Sequence, residues 1–255
     1  MIVLNSNQYK ELNIYLESRG ISIVSSFEQK SMNAPLCMRE IDQQLHTINE
    51  LHEKVMGMTG YSGGRIQNNT GKKVEQYKIY IKKLKREIKR INSDGVSCEF
   101  ERVLLEKAPE NIERAEICVK EIYDNGYYKL IERSMKRNEV CLGNTYVDNL
   151  VKDRSIMIKS LKKFCYNMVE FDAIYFLSKI KKRNGSIFVK DTIEEFCSIE
   201  GLDKNSERFI LAALSYPIEF MKICDGHRYG KKNWSDEEYS KRLVSALGKD
   251  GEFLL

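Results

Sequence analysis

The chain has 255 residues, of which 42% are hydrophobic and 31% charged, with a formal net charge of +5. That balance excludes disorder as the main state and leaves room for one large core or two modest ones. No apolar run approaches the roughly 18 residues that span a bilayer, and the opening MIVLNSNQYKELN lacks a charged segment followed by an apolar one. The chain is therefore expected to start in the cytosol, with no membrane partner. Seven cysteines, scattered without a CxxC pair, give no zinc spacing and no disulfide framework. Only three prolines, with long runs rich in Lys, Glu, Ile and Leu, predict a mainly helical protein.

In chain order, NQYKELNIYLESR (7–19) carries Leu12, Tyr15 and Leu16 at helical spacing and stops at Gly20. ISIV (21–24) is a short strand, and polar residues 25–37, with Pro35, read as a loop. From Met38 to about Met58, the positions Ile41, Leu45, Ile48, His52 and Val55 mark one face of a strong helix. The glycines of TGYSGG (59–64), Gly60, Gly63 and Gly64, match no phosphate-loop pattern and follow a helix instead of a strand, so they read as a turn. Residues 74–91 place Val74, Tyr77, Ile81, Leu84, Ile88 and Ile91 on one stripe. The opposite side holds Lys78, Lys82, Lys83, Lys85, Arg86, Lys89 and Arg90. Such a helix could lie along nucleic acid or another anionic surface. No stacking aromatics interleave its basic side, and a solvated face accounts for it as well.

Further helices are predicted at 98–107, 110–124 (after Pro109), 127–137, 168–182, 190–199, 204–224 and 235–246, with IMI (156–158) a short buried strand and NGS (184–186) a turn. His46, His52 and His227 are too few and too far apart in sequence to argue for a metal centre. His52, on the apolar face, reads as a packing residue. A Cys141–His227 nucleophile pair has no support in the spacing. Tyr216, Phe220, Tyr229 and Trp234 read as packing for the C-terminal helices, with a groove for a partner as the alternative. No metal or cofactor is expected.

The runs EVCLGNTYVDNLV (139–151), EFDAIYFLSKIKKRNG (170–185) and LSYPIEFMKICDGHRYGKKNW (214–234) resemble the C-terminal lobe of the CotS-like spore-coat proteins, which belong to the aminoglycoside-phosphotransferase-like kinases. LHTINELHEKVMGMTGY (45–61) resembles the family's helix ending in Gly-Tyr, and 100–141 the helical stretch before its catalytic loop. The likeness covers roughly residues 38–245. It implies a mainly α, protein-kinase-like C-terminal lobe (38–255) with a short β-hairpin or strand pair, preceded by a remnant segment (1–37), with the N-terminal lobe largely deleted.

Active members of such families carry a loop of form HxDxxxxN, whose Asp accepts the proton of the attacking hydroxyl and whose Asn holds magnesium. Set against this chain, the His falls on Leu142, the Asp on Asn144 and the Asn on Asn149; the later metal-binding Asp falls on Ser160. An amide has no useful basicity near neutrality, and loss of a general base typically removes about 10²-fold to 10⁴-fold of rate. Lys159, Lys162 and Lys163 add positive charge where a divalent cation would have to sit. Asp153 reads as a turn residue, and Asp172 matches a position where the family keeps a structural Asp. Lys30 stands in polar sequence, unlike the family's nucleotide-orienting lysine.

The resemblance thus implies a catalytically inactive kinase-like protein of the spore coat, made in the cytoplasm, whose partners are other coat proteins or itself. The alternatives are a residual small-molecule or sugar phosphotransferase and, more weakly, an anionic-surface binder through 74–91; nucleic acid is not expected as a partner. A lost lobe would leave the surface around 21–38, 40–56 and 141–149 partly apolar and in need of cover.

Overall fold

The computed structural model describes residues 6–27, 35–58, 66–184 and 189–255. The turn glycines Gly60, Gly63 and Gly64, Lys30 and the turn after Asn184 lie outside these. The elements run α1 (Ser6–Glu17), β1 (Ile21–Ile23), α2 (Met38–Val55), α3 (Lys72–Asp94), α4 (Glu99–Asp124), α5 (Tyr127–Arg137), β2 (Val140–Cys141), β3 (Leu150–Lys152), β4 (Ile156–Ile158), β5 (Cys165–Tyr166), α6 (Glu170–Asn184), α7 (Val189–Ile199), α8 (Lys204–Ser215), α9 (Ile218–Arg228) and α10 (Asp236–Asp250). The expected mainly α class with small strand pairs is the observed one. The chain divides into two compact units, Met1–Gly71 with Gly126–Ile210, and Lys72–Asn125 with Leu211–Leu255.

In the first unit, β3 and β4 form a short antiparallel hairpin with Leu150 opposite Ile158, and Asp153 lies in its turn as expected. β1 pairs in parallel with β4, Ile21 opposite Ile156, so the N-terminal segment completes a three-stranded sheet. β2 and β5 form a second pair, Cys141 opposite Cys165. α2 buries Ile41, Leu45, Ile48, Leu51 and Val55, the face its periodicity predicts. Its first turn is closed by the Glu40 carboxylate, which accepts the Cys37 N–H at 3.0 Å. Leu12, Leu16 and Ile21 are fully buried, as are Leu142 and Tyr146 of the loop after β2. Among the described residues of 21–38, 40–56 and 141–149, Met38 is the one large apolar side chain left exposed. The apolar face expected there is mostly covered, because β1 seals the sheet edge and the loop turns its own apolar side chains inward.

In the second unit, α3 presents Val74, Tyr77, Ile81, Leu84 and Ile91 to the interior. α4 departs from the expected pair of helices: it runs unbroken from Glu99 to Asp124 with Pro109 inside it. A proline there removes one backbone hydrogen bond and clashes with the preceding turn, at about 3 kcal/mol or more. Burial of Phe100, Leu104, Ala108, Ala115 and Cys118 along one face outweighs that cost.

The expected helix 204–224 is two helices. Tyr216–Pro217 breaks it, since the ring of a proline disfavours the α conformation of the residue before it. The new N-terminus of α9 is satisfied from a distance: Asp250, at the end of α10, accepts the Glu219 and Phe220 N–H groups at 2.8 and 2.9 Å. Tyr216 stacks on Tyr77 (centroids 4.0 Å apart) and donates its hydroxyl to the Tyr77 carbonyl, so the break is also a packing site.

A buried ionic cluster ties α5 to the start of α6 in the first unit. Arg133 donates to Glu139 at 2.9 Å and to both carboxylate oxygens of Glu170 at 2.8 Å, and the Ser206 hydroxyl also donates to Glu170. Both carboxylates are completely buried, while Arg133 is 19% exposed. Burial pushes the Glu170 pKa up and the guanidinium opposes it. Removing the cation strands two carboxylates inside the protein, so Arg133→Leu is expected to lower unfolding stability by about 3–5 kcal/mol, read from the urea midpoint at unchanged slope.

Candidate functional site

The loop that resembles a catalytic loop runs from β2 to β3, and its shape is set from beneath by one carboxylate. Asp172, in the first turn of α6 and fully buried, accepts the Leu142 and Gly143 backbone N–H groups at 2.7 Å each. Its own carbonyl accepts the Thr145 hydroxyl at 2.8 Å. His52 of α2 approaches from the other side. Its Nε2 donates to Asp172 at 3.1 Å and its Nδ1 to Glu200 at 2.6 Å. Burial alone would depress the pKa of this imidazole, but the Glu200 charge and the hydrogen bonds to both carboxylates prevail and raise it to about 10. His52 is thus a buried cation between two anions, which its position on an apolar stripe did not reveal. Asp172 takes the structural role that the resemblance implied.

Gln44, also on α2, donates through Nε2 to the Thr145 and Leu150 carbonyls at 2.8 and 3.1 Å, fixing both ends of the loop's second half. Asn149 closes it. Its amide donates to the Asn144 carbonyl at 2.8 Å and to the Ser160 carbonyl at 3.2 Å, joining the loop to the segment after β4. The structure therefore brings the backbone carbonyls of Asn144 and Ser160 onto the Asn149 amide. Leu142, where the family has its His, is buried. Ser160 is exposed and accepts the Lys162 N–H on its hydroxyl at 3.3 Å. Asn144 Oδ1 and, four residues on, Asp148 Oδ1 are buried with no hydrogen-bond partner.

Magnesium is the ion this fold implies for such a loop. Neither Asn144 nor Ser160 offers the carboxylate that a hard, reluctantly dehydrated cation takes, and exposed Lys159, Lys162 and Lys163 surround Ser160 in the chain. These positions do not fit it.

Gly143 is a second fixed point. Its φ is +73°, and a Cβ there would lie 2.6 Å from Lys163 Cβ and 2.8 Å from the Lys163 carbonyl oxygen. Both the left-handed backbone and the contact require glycine.

The other candidates separate. Cys141 is buried, its thiol donating to the Met168 carbonyl at 3.0 Å, and burial pushes its pKa well up, so it is no nucleophile. Of the seven basic residues singled out on α3, Lys78 is ion-paired to Glu75, Lys83 to Asp225, Lys85 to Glu116 and Arg90 to Glu101. An open groove between α3 and α4 has Lys82 and Lys120 on its rim, with Lys120 paired to Asp124. Tyr216 and Phe220 are core residues, whereas Tyr229 is exposed beneath Lys83, and Trp234 lies under the Arg242 guanidinium at 3.9 Å. His227, too far in sequence from the other histidines to suggest a metal centre, sits beside Cys98 and Asp236. Residues so far apart in sequence carry no spacing signal.

No family model matches the chain, and no curated protein sequence does. Solved structures do. An aminoglycoside phosphotransferase from Alicyclobacillus acidocaldarius subsp. acidocaldarius DSM 446 superposes with a TM-score of 0.70 at 12% identity, covering 98% of this chain and 81% of that one. A Plasmodium vivax ethanolamine kinase aligns at 13% identity over 96% of this chain and 72% of its own, with a TM-score of 0.44. The fold is the protein-kinase-like one seen in that aminoglycoside phosphotransferase structure. No membrane-length apolar helix occurs among the described residues.

Two outcomes follow from this geometry. A group whose pKa is raised on folding stabilises fully below its unfolded value and loses that contribution as pH rises through the folded one. Unfolding free energy should therefore fall from pH 6.5 toward about 10 as His52 deprotonates. The early part of that fall, near neutrality, should be absent in His52→Gln, measured by urea denaturation across pH. Gly143→Ala should cost about 1–3 kcal/mol, the usual range for a forced backbone conformation, and a neutral result would show that the loop can shift away from Lys163.

Proposed function

We propose that this chain is a catalytically inactive phosphotransferase-like protein that serves as a structural or interaction component of the spore coat, synthesised in the cytoplasm and assembled with other coat proteins or with itself. The observation that carries the reading is the loop itself. Asn144 and Ser160 stand where the resemblance places the base and the metal acid, and the Asn149 side chain donates through Nδ2 to the backbone carbonyls of both. The loop is rigidly built and chemically unequipped, which is what remains when a fold is kept for its shape. The coat assignment rests on the resemblance of 139–151, 170–185 and 214–234 alone.

A residual small-molecule or sugar phosphotransferase is the second reading, favoured by the unpaired Asn144 Oδ1 and Asp148 Oδ1, which a bound ligand could engage. An anionic-surface role for α3 is weaker, since Lys78, Lys83, Lys85 and Arg90 are already paired with carboxylates.

Thermal unfolding with and without millimolar ATP and Mg²⁺ separates the first two. No shift in Tm and no nucleotide turnover is expected; a rise of several degrees abolished by Asn144→Leu would establish the second reading. Recovery of the protein in purified spore-coat extracts supports the coat assignment, and its confinement to the soluble cytoplasm of sporulating cells removes it.

A further inference from the structure

Three segments of the second unit meet at the side chains of Cys98, His227 and Asp236. Cys98 precedes α4, His227 lies in the last turn of α9 and Asp236 in the first turn of α10. Their ligand atoms, Sγ, an imidazole nitrogen and a carboxylate oxygen, all lie within 4.8 Å of one another. His227 Nε2 is 2.8 Å from Asp236 Oδ1.

We propose that these three residues form a zinc-binding site with one coordination position open to solvent.

The donor set selects the metal. A thiolate and an imidazole together favour zinc over magnesium or calcium, and a carboxylate oxygen is an accepted third zinc ligand that leaves a fourth place for water. With metal–ligand lengths of about 2.0–2.3 Å, tetrahedral ligands lie roughly 3.3–3.7 Å apart, so the cluster needs a modest contraction on the thiol side and a small opening between His227 and Asp236. The charges close as well: one dication meets one thiolate and one carboxylate.

The ligands are held before any metal arrives. The His227 ring stacks on Phe100 (centroids 3.8 Å apart, planes at 20°) and meets the edge of Tyr239 at 5.0 Å, so its rotation is fixed. The backbone leading into Cys98 is tied by Glu101, whose carboxylate accepts the Ser97 N–H at 2.7 Å and the Ser97 hydroxyl at 2.8 Å. Asp236 follows Ser235, whose hydroxyl caps α10 by accepting the Glu238 N–H. The side chain of Asp236 is 46% exposed and that of His227 20%, which gives an ion a way in. A surface His–Asp pair explains two of the three groups. It does not explain the thiol that converges on them.

The test uses the full-length reduced chain after chelator treatment. Cobalt(II) is titrated in as a probe, followed by zinc in competition. The expected result is one equivalent of cobalt per chain with a thiolate-to-cobalt charge-transfer band, displaced by zinc, and a rise in Tm with either metal. Cys98→Ser should abolish the band, and Asp236→Asn should weaken zinc binding by at least about 10-fold, the loss that even outer-sphere changes cause at metal sites. Cys37→Ser, which alters the exposed cysteine, should leave both unchanged. Circular dichroism reports whether each variant is folded, and both substituted ligands are partly exposed, so folding is expected to survive. Absence of a stoichiometric band in the folded wild type, its persistence in folded Cys98→Ser, or an Asp236→Asn affinity equal to wild type would each overturn the proposal.

Discussion

The first unit depends on a charge placed where charges are expensive. Asp172 is fully buried, where a polar group without partners is costly. It stays useful because every direction is answered: two backbone N–H groups from the loop above and the imidazolium of His52 from α2. Glu200 then holds His52 from the opposite side. A chain of this kind contributes little net stability compared with apolar packing, but removing any one member leaves the others uncompensated. What it specifies is geometry. The positions of α2, α6 and the 141–149 loop are mutually fixed by groups that tolerate no loosening.

That arrangement lets the loop keep its shape without a bound ligand. The loop's shape is determined from below by Asp172 and from the side by Gln44 and Asn149, none of which needs a substrate to be satisfied. Asn144 and Ser160 can therefore hold residues unsuited to phosphoryl transfer without disturbing the backbone. The superposition on an aminoglycoside phosphotransferase at 12% identity shows one fold carried by two very different sequences.

Much of the helical layout is visible in the sequence, because α2 and α3 each bury one stripe and periodicity reports burial directly. β1 and β4 are also legible as short apolar runs, though not their parallel pairing, which joins residues 21 and 156. Two helix boundaries go astray for opposite reasons. At Pro109 the packing of α4 overrides a local breaker, whereas at Pro217 the breaker wins over the apolar pattern on either side, helped by Asp250 from α10. In the loop, the degenerate positions can be found only through the family resemblance. The charge on His52 is hidden, since its partners stand 120 and 148 residues away. The meeting of Cys98, His227 and Asp236 is hidden for the same reason.

The division of the chain has a consequence for biosynthesis. Each compact unit is made of two separated stretches, so Lys72–Asn125 emerges from the ribosome before Gly126–Ile210, and its own complement, from Leu211 onward, comes last. Neither unit can close vectorially as it is made. β1 must wait for β4, and α3 and α4 must hold their apolar stripes for α9 and α10. Such long waits slow folding and leave apolar surface open to misassociation in the nascent chain. The strongly charged outer side of α3 gives that waiting segment a soluble face while synthesis finishes.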